Sequence, residues 1–107
     1  YKEGRHNMPL SGIEKKVIFV LGDYWENNKK DPIGKIAKTI NMVDGEFCDY
    51  VDKLIHKGYL NENAFNSPGQ FSPPYEHVKI RDIIRMDLLT TKGMQIFIEL
   101  QSKGYSI

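Results

Sequence analysis

A chain of 107 residues has room for one ordinary domain around one core, and not for two. Its composition, 40% hydrophobic and 27% charged, supplies enough apolar side chain to offset the entropy lost on folding, which argues against a chain disordered throughout. Fifteen basic residues against fourteen acidic ones leave a net charge of +1, so no overall field draws the chain to nucleic acid or anionic lipid and any binding must come from local clusters.

The single cysteine, Cys48, rules out an internal disulfide framework and fits a reducing compartment. No apolar run approaches the roughly 20 residues that span a bilayer, and the start YKEGRHN lacks the apolar centre of a signal peptide. The expectation is a cytoplasmic protein with no membrane partner.

Residues 1–10 are polar and are expected to form an N-terminal arm; residues 11–107 are expected to form a single domain. At Ser11 the pattern changes. Its hydroxyl can accept from the Glu14 N–H while the Glu14 carboxylate reaches back to the Ser11 N–H, which starts a first helix. Ile13, Val17, Val20, Leu21 and Tyr24 follow helical spacing, and Ile18, Phe19 and Trp25 widen the stripe beyond one face. Something must cover that wide stripe. A second protomer or the chain's own last helix would do so, the last helix with fewer assumptions. The polar run 27–30 ends the helix.

Asp31-Pro32 is expected to start a second helix, with Asp31 as cap and Pro32 in the first helical position. Ile33, Ile36, Ala37 and Ile40 then form an i, i+3, i+4, i+7 face, with Lys35 and Lys38 off it. Asn41-Met42-Val43 is the turn, Asn41 tolerating a left-handed corner. A third helix is expected from Asp44, as its cap, to about Lys57, with Phe47, Val51, Leu54 and Ile55 inward. Gly58 closes it, and Tyr59 and Leu60 open a strand.

From 61 to 75 the chain is rich in turn residues and carries Pro68, Pro73 and Pro74, so a long irregular loop is expected there and no regular strand. Val78, Ile80, Ile84, Met86 and Leu88 then alternate with polar residues except at Asp82-Ile83. That pattern reads as a strand with a bulge or break, its later half 84–89 the firmer part; a helix through Ile80, Ile83, Ile84 and Leu88 also fits. Thr90 or Thr91 caps a final helix with Met94, Phe97, Ile98 and Leu100 inward, and Gly104 stops it.

The order helix, helix, helix, strand, loop, strand, helix is that of a winged helix-turn-helix domain: α+β, mostly α, with a three-helix core, a two- or three-stranded wing and a C-terminal helix. The residues also resemble those of the MarR-like group of bacterial and archaeal winged-helix regulators. The resemblance rests on IAKTIN as the first helix of the unit, on VDKLIHKGYL as the end of the recognition helix, where Leu54, Lys57, Gly58 and Leu60 match, and on LLTTKG, where Leu89, Thr90 and Gly93 match. It departs from the group in a longer segment between Leu60 and Leu89 and in the short length of chain left for terminal dimerisation helices. The resemblance implies double-stranded DNA as partner and transcription regulation as role, with a homodimer as a further possibility.

In that pattern the early part of the third helix meets the DNA, yet Asp44, Glu46, Asp49 and Asp52 outnumber Lys53 and Lys57 there. Binding driven by counterion release needs the opposite sign. Asp49 with Lys53 and Asp52 with His56 are spaced as i, i+4 ion pairs on a solvated face. The candidate DNA-contacting residues are therefore Lys35, Lys38, Lys53, His77, Lys79, Arg81 and Arg85, drawn from the second helix, the third helix and the wing. The alternative is a protein-interaction module that uses Glu46, Asp49 and Asp52 or the loop aromatics Phe65, Phe71 and Tyr75, which could equally pin the loop to the domain. Cys48 is read as a small core residue. His6, His56 and His77 lack the paired spacing of a metal site, and no nucleophile-base set or Gly-rich phosphate loop is present, so no metal, cofactor or catalysis is expected.

Overall fold

In the computed structural model, which describes residues 10–106, Ser11 and Glu14 close the expected capping box. The Glu14 N–H donates to Ser11 Oγ at 3.1 Å and the Ser11 N–H to Glu14 Oε1 at 2.9 Å. Helix α1, Gly12–Glu26, follows and ends where Asn28 takes a left-handed φ of 53°. The N-terminal arm lies outside the described residues except for Leu10.

Helix α2 is Ile33–Lys38, six residues, shorter than expected. Pro32 itself takes the cap position and no side chain caps the helix. Asp31 instead takes the Lys35 ammonium at 3.3 Å and gives its carbonyl to the Tyr24 hydroxyl at 2.6 Å. The apolar face holds: Ile33, Ile36, Ala37 and Ile40 are all buried. Asn41 turns the corner with φ 58°, and helix α3, Asp44–His56, begins behind Val43, not with Asp44 as its cap. The Asp44 carboxylate lies over Gly34 of α2. Phe47, Val51 and Leu54 are fully buried, Ile55 half so. Gly58, at φ 87°, lets the chain leave α3 in a conformation that a Cβ would strain.

A short 3-10 turn, Glu62–Ala64, leads into an antiparallel pair, β1 Phe65–Gln70 and β2 Lys79–Ile83. Two expectations are corrected here. A bulged strand does form across Pro68, over 65–70, while 71–78 with Pro73 and Pro74 is the irregular loop expected; the register shifts between Asn66 and Gly69, so that Ser67 and Pro68 together oppose Arg81. Proline has no N–H to give a ladder, and a bulge is where none is required. The strand of the second pattern is its earlier half and not 84–89. The break at Asp82-Ile83 is the end of β2, and the helix alternative does not form. Beyond it the chain is tied down by single bonds, Ile84 N–H to the Ala64 carbonyl, Asn61 N–H to the Leu88 carbonyl and Thr90 N–H to the Tyr59 carbonyl, with one bridge between Leu60 and Leu89. That bridge is all that forms of the strand expected at Tyr59 and Leu60.

Helix α4, Thr91–Ser102, is capped by Thr90, whose hydroxyl accepts from the Gly93 N–H at 3.1 Å. It covers α1: the Phe97 ring lies where a Cβ on Gly22 would be, and Phe19 stacks at a tilt against Phe97. The chain's own last helix therefore covers much of the wide apolar stripe of α1, with Ile13 and Trp25 each left 39% exposed. Ile98, expected inward, is 56% exposed. Among the described residues the result is an α+β arrangement of four α-helices and a two-stranded antiparallel sheet around one hydrophobic cluster. Among the described residues no helix is long and apolar enough to cross a membrane.

Two contacts hold α1 and α4 to the end of α3. Glu14 is buried at 6% exposure and accepts from the Lys57 ammonium at 2.6 Å. Burial pushes the Glu14 carboxyl up, but the hydrogen bonds from Lys57 and Ser11 and the Lys57 charge outweigh it and hold the group below its ordinary value of 4.5. A carboxyl lowered in the folded state stabilises above its unfolded pKa and loses that contribution as pH falls through its folded value. Acid titration of thermal stability should therefore be shallower in Glu14→Gln than in the parent chain below about pH 4.5. Gly93, for its part, packs directly on the Tyr59 carbonyl oxygen, where a Cβ would overlap backbone. Gly93→Ala should lower stability by roughly 1–3 kcal/mol or more in urea unfolding, whereas Gly12→Ala, in open space at the start of α1, should leave it unchanged or slightly raised.

Candidate functional site

The α2-turn-α3 unit and the β1-β2 hairpin meet along one flank of α3. Asp52, two turns into the helix, accepts from Arg81 Nε at 2.8 Å, and Glu62 stands 3.9 Å from Arg81 Nη1. The Arg81 side chain is only 6% exposed. It lies on β2 opposite the bulge of β1, where the Asp52 carboxylate meets it. Arg81 was expected among the phosphate-contacting residues; it is instead a buried cation committed to two carboxylates. Asp52 was expected to pair with His56 and to offer itself to a partner; it serves as the counterion.

One turn earlier, Asp49 takes Lys53 at 3.4 Å, the i, i+4 pair the spacing predicts, and also lies 3.9 Å from His77 Nε2, an ion pair only when that ring is protonated. Earlier still, the Tyr75 ring sits over Gly45, in the space a Cβ would need. The hairpin tip is thereby seated on the N-terminal half of α3. Of the three loop aromatics, Phe65 is buried in the core, and Phe71 and Tyr75 are half-buried against it. The pinning role expected as one option for these rings is the one the geometry supports, and Phe65 has no face to give a partner.

The remaining cations stay on the surface. Lys35 is 68% exposed beside Asp31, and Lys53 is 53% exposed, its ammonium also 5.1 Å from the Tyr50 ring centre. Lys38 and Lys79 are exposed with no carboxylate partner among the described residues. Arg85 lies apart from this group. It pairs with Asp87 and lines a cleft of about 400 Å³ with Tyr24, Lys30, Ile33, Ile84 and Met86 on the far side of β2. The structure thus gathers Lys53 and His77 around Asp49, and Arg81 with Asp52, and leaves Arg85 outside. Glu46 is half-buried in the first turn of α3 and makes no hydrogen bond or ion pair among the described residues.

Cys48 is buried beside this pair, and burial pushes its thiol up to about 11, so it stays protonated at neutral pH, as a small core residue does. Burial, with the Asp31 charge, also raises the Tyr24 phenol. Sequence reasoning missed the ties between Arg81 and Glu62 and between Lys57 and Glu14, and the seating of Tyr75 on Gly45. Each joins residues distant in the chain, and no local period marks them. A comparison with protein-family models, curated proteins and solved structures found no match to this chain.

A buried guanidinium deprived of its counterion is costly, so Asp52→Asn should destabilise the fold by about 3 kcal/mol in urea unfolding. The double variant Asp52→Leu with Arg81→Met, which removes both charges, should recover most of that loss. Losses in the paired variants that merely add would show the two groups to be uncoupled.

Proposed function

We propose that this chain is a winged helix-turn-helix DNA-binding protein, similar to the MarR-like regulators, that controls transcription. The observation that carries the reading is the seating of the hairpin against α3 beside the tight α2-α3 turn. This is the layout in which a second helix is offered to the major groove while a hairpin reaches along the duplex. The excess of acids on α3 is less of an obstacle than its count suggests. Asp52 is neutralised from inside by Arg81 and Asp49 is paired with Lys53, which leaves Asp44 and Glu46 as the acids without such partners.

The contacts to the duplex backbone come from Lys35 and Lys38 on α2, Lys53 on α3, and His77 and Lys79 on the hairpin. Arg81 has no part in them. Lysine ammonium groups at this density supply affinity that is independent of sequence and falls with salt, because each phosphate neutralised releases condensed counterions.

A fluorescence-anisotropy titration of a short random-sequence duplex over a salt series tests the reading. The parent chain should bind at low salt and weaken as salt rises. Lys38→Ala and Lys79→Ala should each weaken binding across sequences and reduce the slope of log affinity against log salt by about 1. Absence of binding at the lowest salt would overturn it. In that case the acidic first turn of α3, next to Val43 at 60% exposure, favours a second reading as a surface for a protein partner.

A further inference from the structure

On the side of α3 turned away from the hairpin, half-buried Glu46 and Tyr50 and exposed Lys53 stand at i, i+4 and i+7, within roughly 60° of one another around the helix axis at 3.6 residues per turn. The flank next to them is closed by the hairpin through Gly45 and Tyr75, Asp49 and His77, and Asp52 and Arg81. The opposite flank is core, with Phe47, Val51 and Leu54 buried. This stripe is therefore the part of α3 that a groove could meet.

The four carboxylates of α3 divide unequally. Asp52 faces Arg81, Asp49 faces Lys53 and His77, and Asp44 is turned over Gly34 of α2. Glu46 is the one on the outward stripe with no hydrogen bond or ion pair among the described residues. A carboxylate there is repelled by phosphates unless it meets a donor. The major groove presents its donors as the amino groups of cytosine and adenine; the adenine amino group lies beside the N7 acceptor, which opposes a second acceptor, whereas the cytosine N4 amino group does not have that neighbour.

We infer that Glu46 selects the base sequence, its carboxylate accepting a hydrogen bond from the N4 amino group of a cytosine in the major groove. The inference rests on the DNA-binding reading above and adds to it the residue that discriminates. Glu46 reduces affinity for duplexes in general and restores it where a cytosine is correctly placed, while the flanking lysines act on every sequence alike.

The experiment is selection of tight binders from a random duplex pool by the parent chain, Glu46→Gln and Glu46→Ala, each first shown to melt like the parent. The parent should enrich cytosine at one position, with discrimination of about tenfold over the other bases. Glu46→Gln, which can donate as well as accept, should move that position toward adenine. Glu46→Ala should lose the preference there while binding unselected duplex at least as tightly as the parent. An unchanged cytosine preference in both variants, or a parent that binds DNA with no preference lost on substitution, overturns the assignment of Glu46 alone. A parent that binds no duplex at low salt overturns the DNA reading and this assignment with it.

Discussion

The buried ion pair between Arg81 and Asp52 is the constraint on which the arrangement of α3 and the hairpin depends. A guanidinium at 6% exposure has lost most of its water, and its placement is tolerable only with a carboxylate in contact. Asp52 at 2.8 Å supplies it, with Glu62 farther off. Such a pair adds less net stability than its Coulomb energy implies, because both charges are desolvated. Its effect is on specificity of arrangement: slip β2 by one residue and Arg81 faces solvent while Asp82 faces the core. The bulge at Ser67 and Pro68 and the ion pair therefore fix the same register from opposite strands.

Close approach through glycine does for the rest of the fold what the ion pair does for the hairpin. Gly22 admits the Phe97 ring and brings α4 onto α1; Gly45 admits the Tyr75 ring and brings the hairpin tip onto α3; Gly93 admits the Tyr59 carbonyl and brings the start of α4 onto the end of α3. Thr90 and Lys92 reinforce that last junction, donating to the Gly58 and Lys57 carbonyls, with the Lys92 ammonium 4.4 Å from the Tyr59 ring centre. Packing of this kind is stiff, since a neighbour in van der Waals contact with backbone cannot move without moving the element. The outward stripe of α3 is thus presented by a helix held on both flanks.

The features that local chemistry encodes were legible in the sequence. The Ser11 and Glu14 box, the left-handed corner at Asn41, the stop at Gly58, the Thr90 cap and the inward faces of α2 and α3 need only a few neighbouring residues to specify them. Strand β1 was not legible, because Pro68 argues against a strand unless the bulge that accommodates it is known, and the bulge is defined by a partner strand more than ten residues away. Arg81 misled for a related reason. A charged residue in an alternating pattern reads as surface by default, and only the pairing with Asp52 on another element makes burial affordable. The site was accordingly legible as a set of elements and not as a set of contacts. Lys38 and Lys79 lie on the surface as their types imply, while Arg81, Asp52 and Phe65 turned inward for tertiary reasons.

Turning charge inward also changes what the surface presents. Counted along the chain, α3 is acidic and the whole protein nearly neutral, which gives a nucleic-acid partner little to recognise. Counted by exposure, buried Arg81 is neutralised by half-buried Asp52, Glu14 is consumed by Lys57, and Asp49 is paired with Lys53. What remains near the α2-turn-α3 unit is a rim of lysines on α2 and the hairpin around a first turn that carries Asp44 and Glu46. Such a surface separates two tasks physically. On the DNA reading the rim supplies phosphate contacts whatever the sequence, whereas the acidic turn penalises close approach unless a donor meets it, so affinity and discrimination reside in different residues.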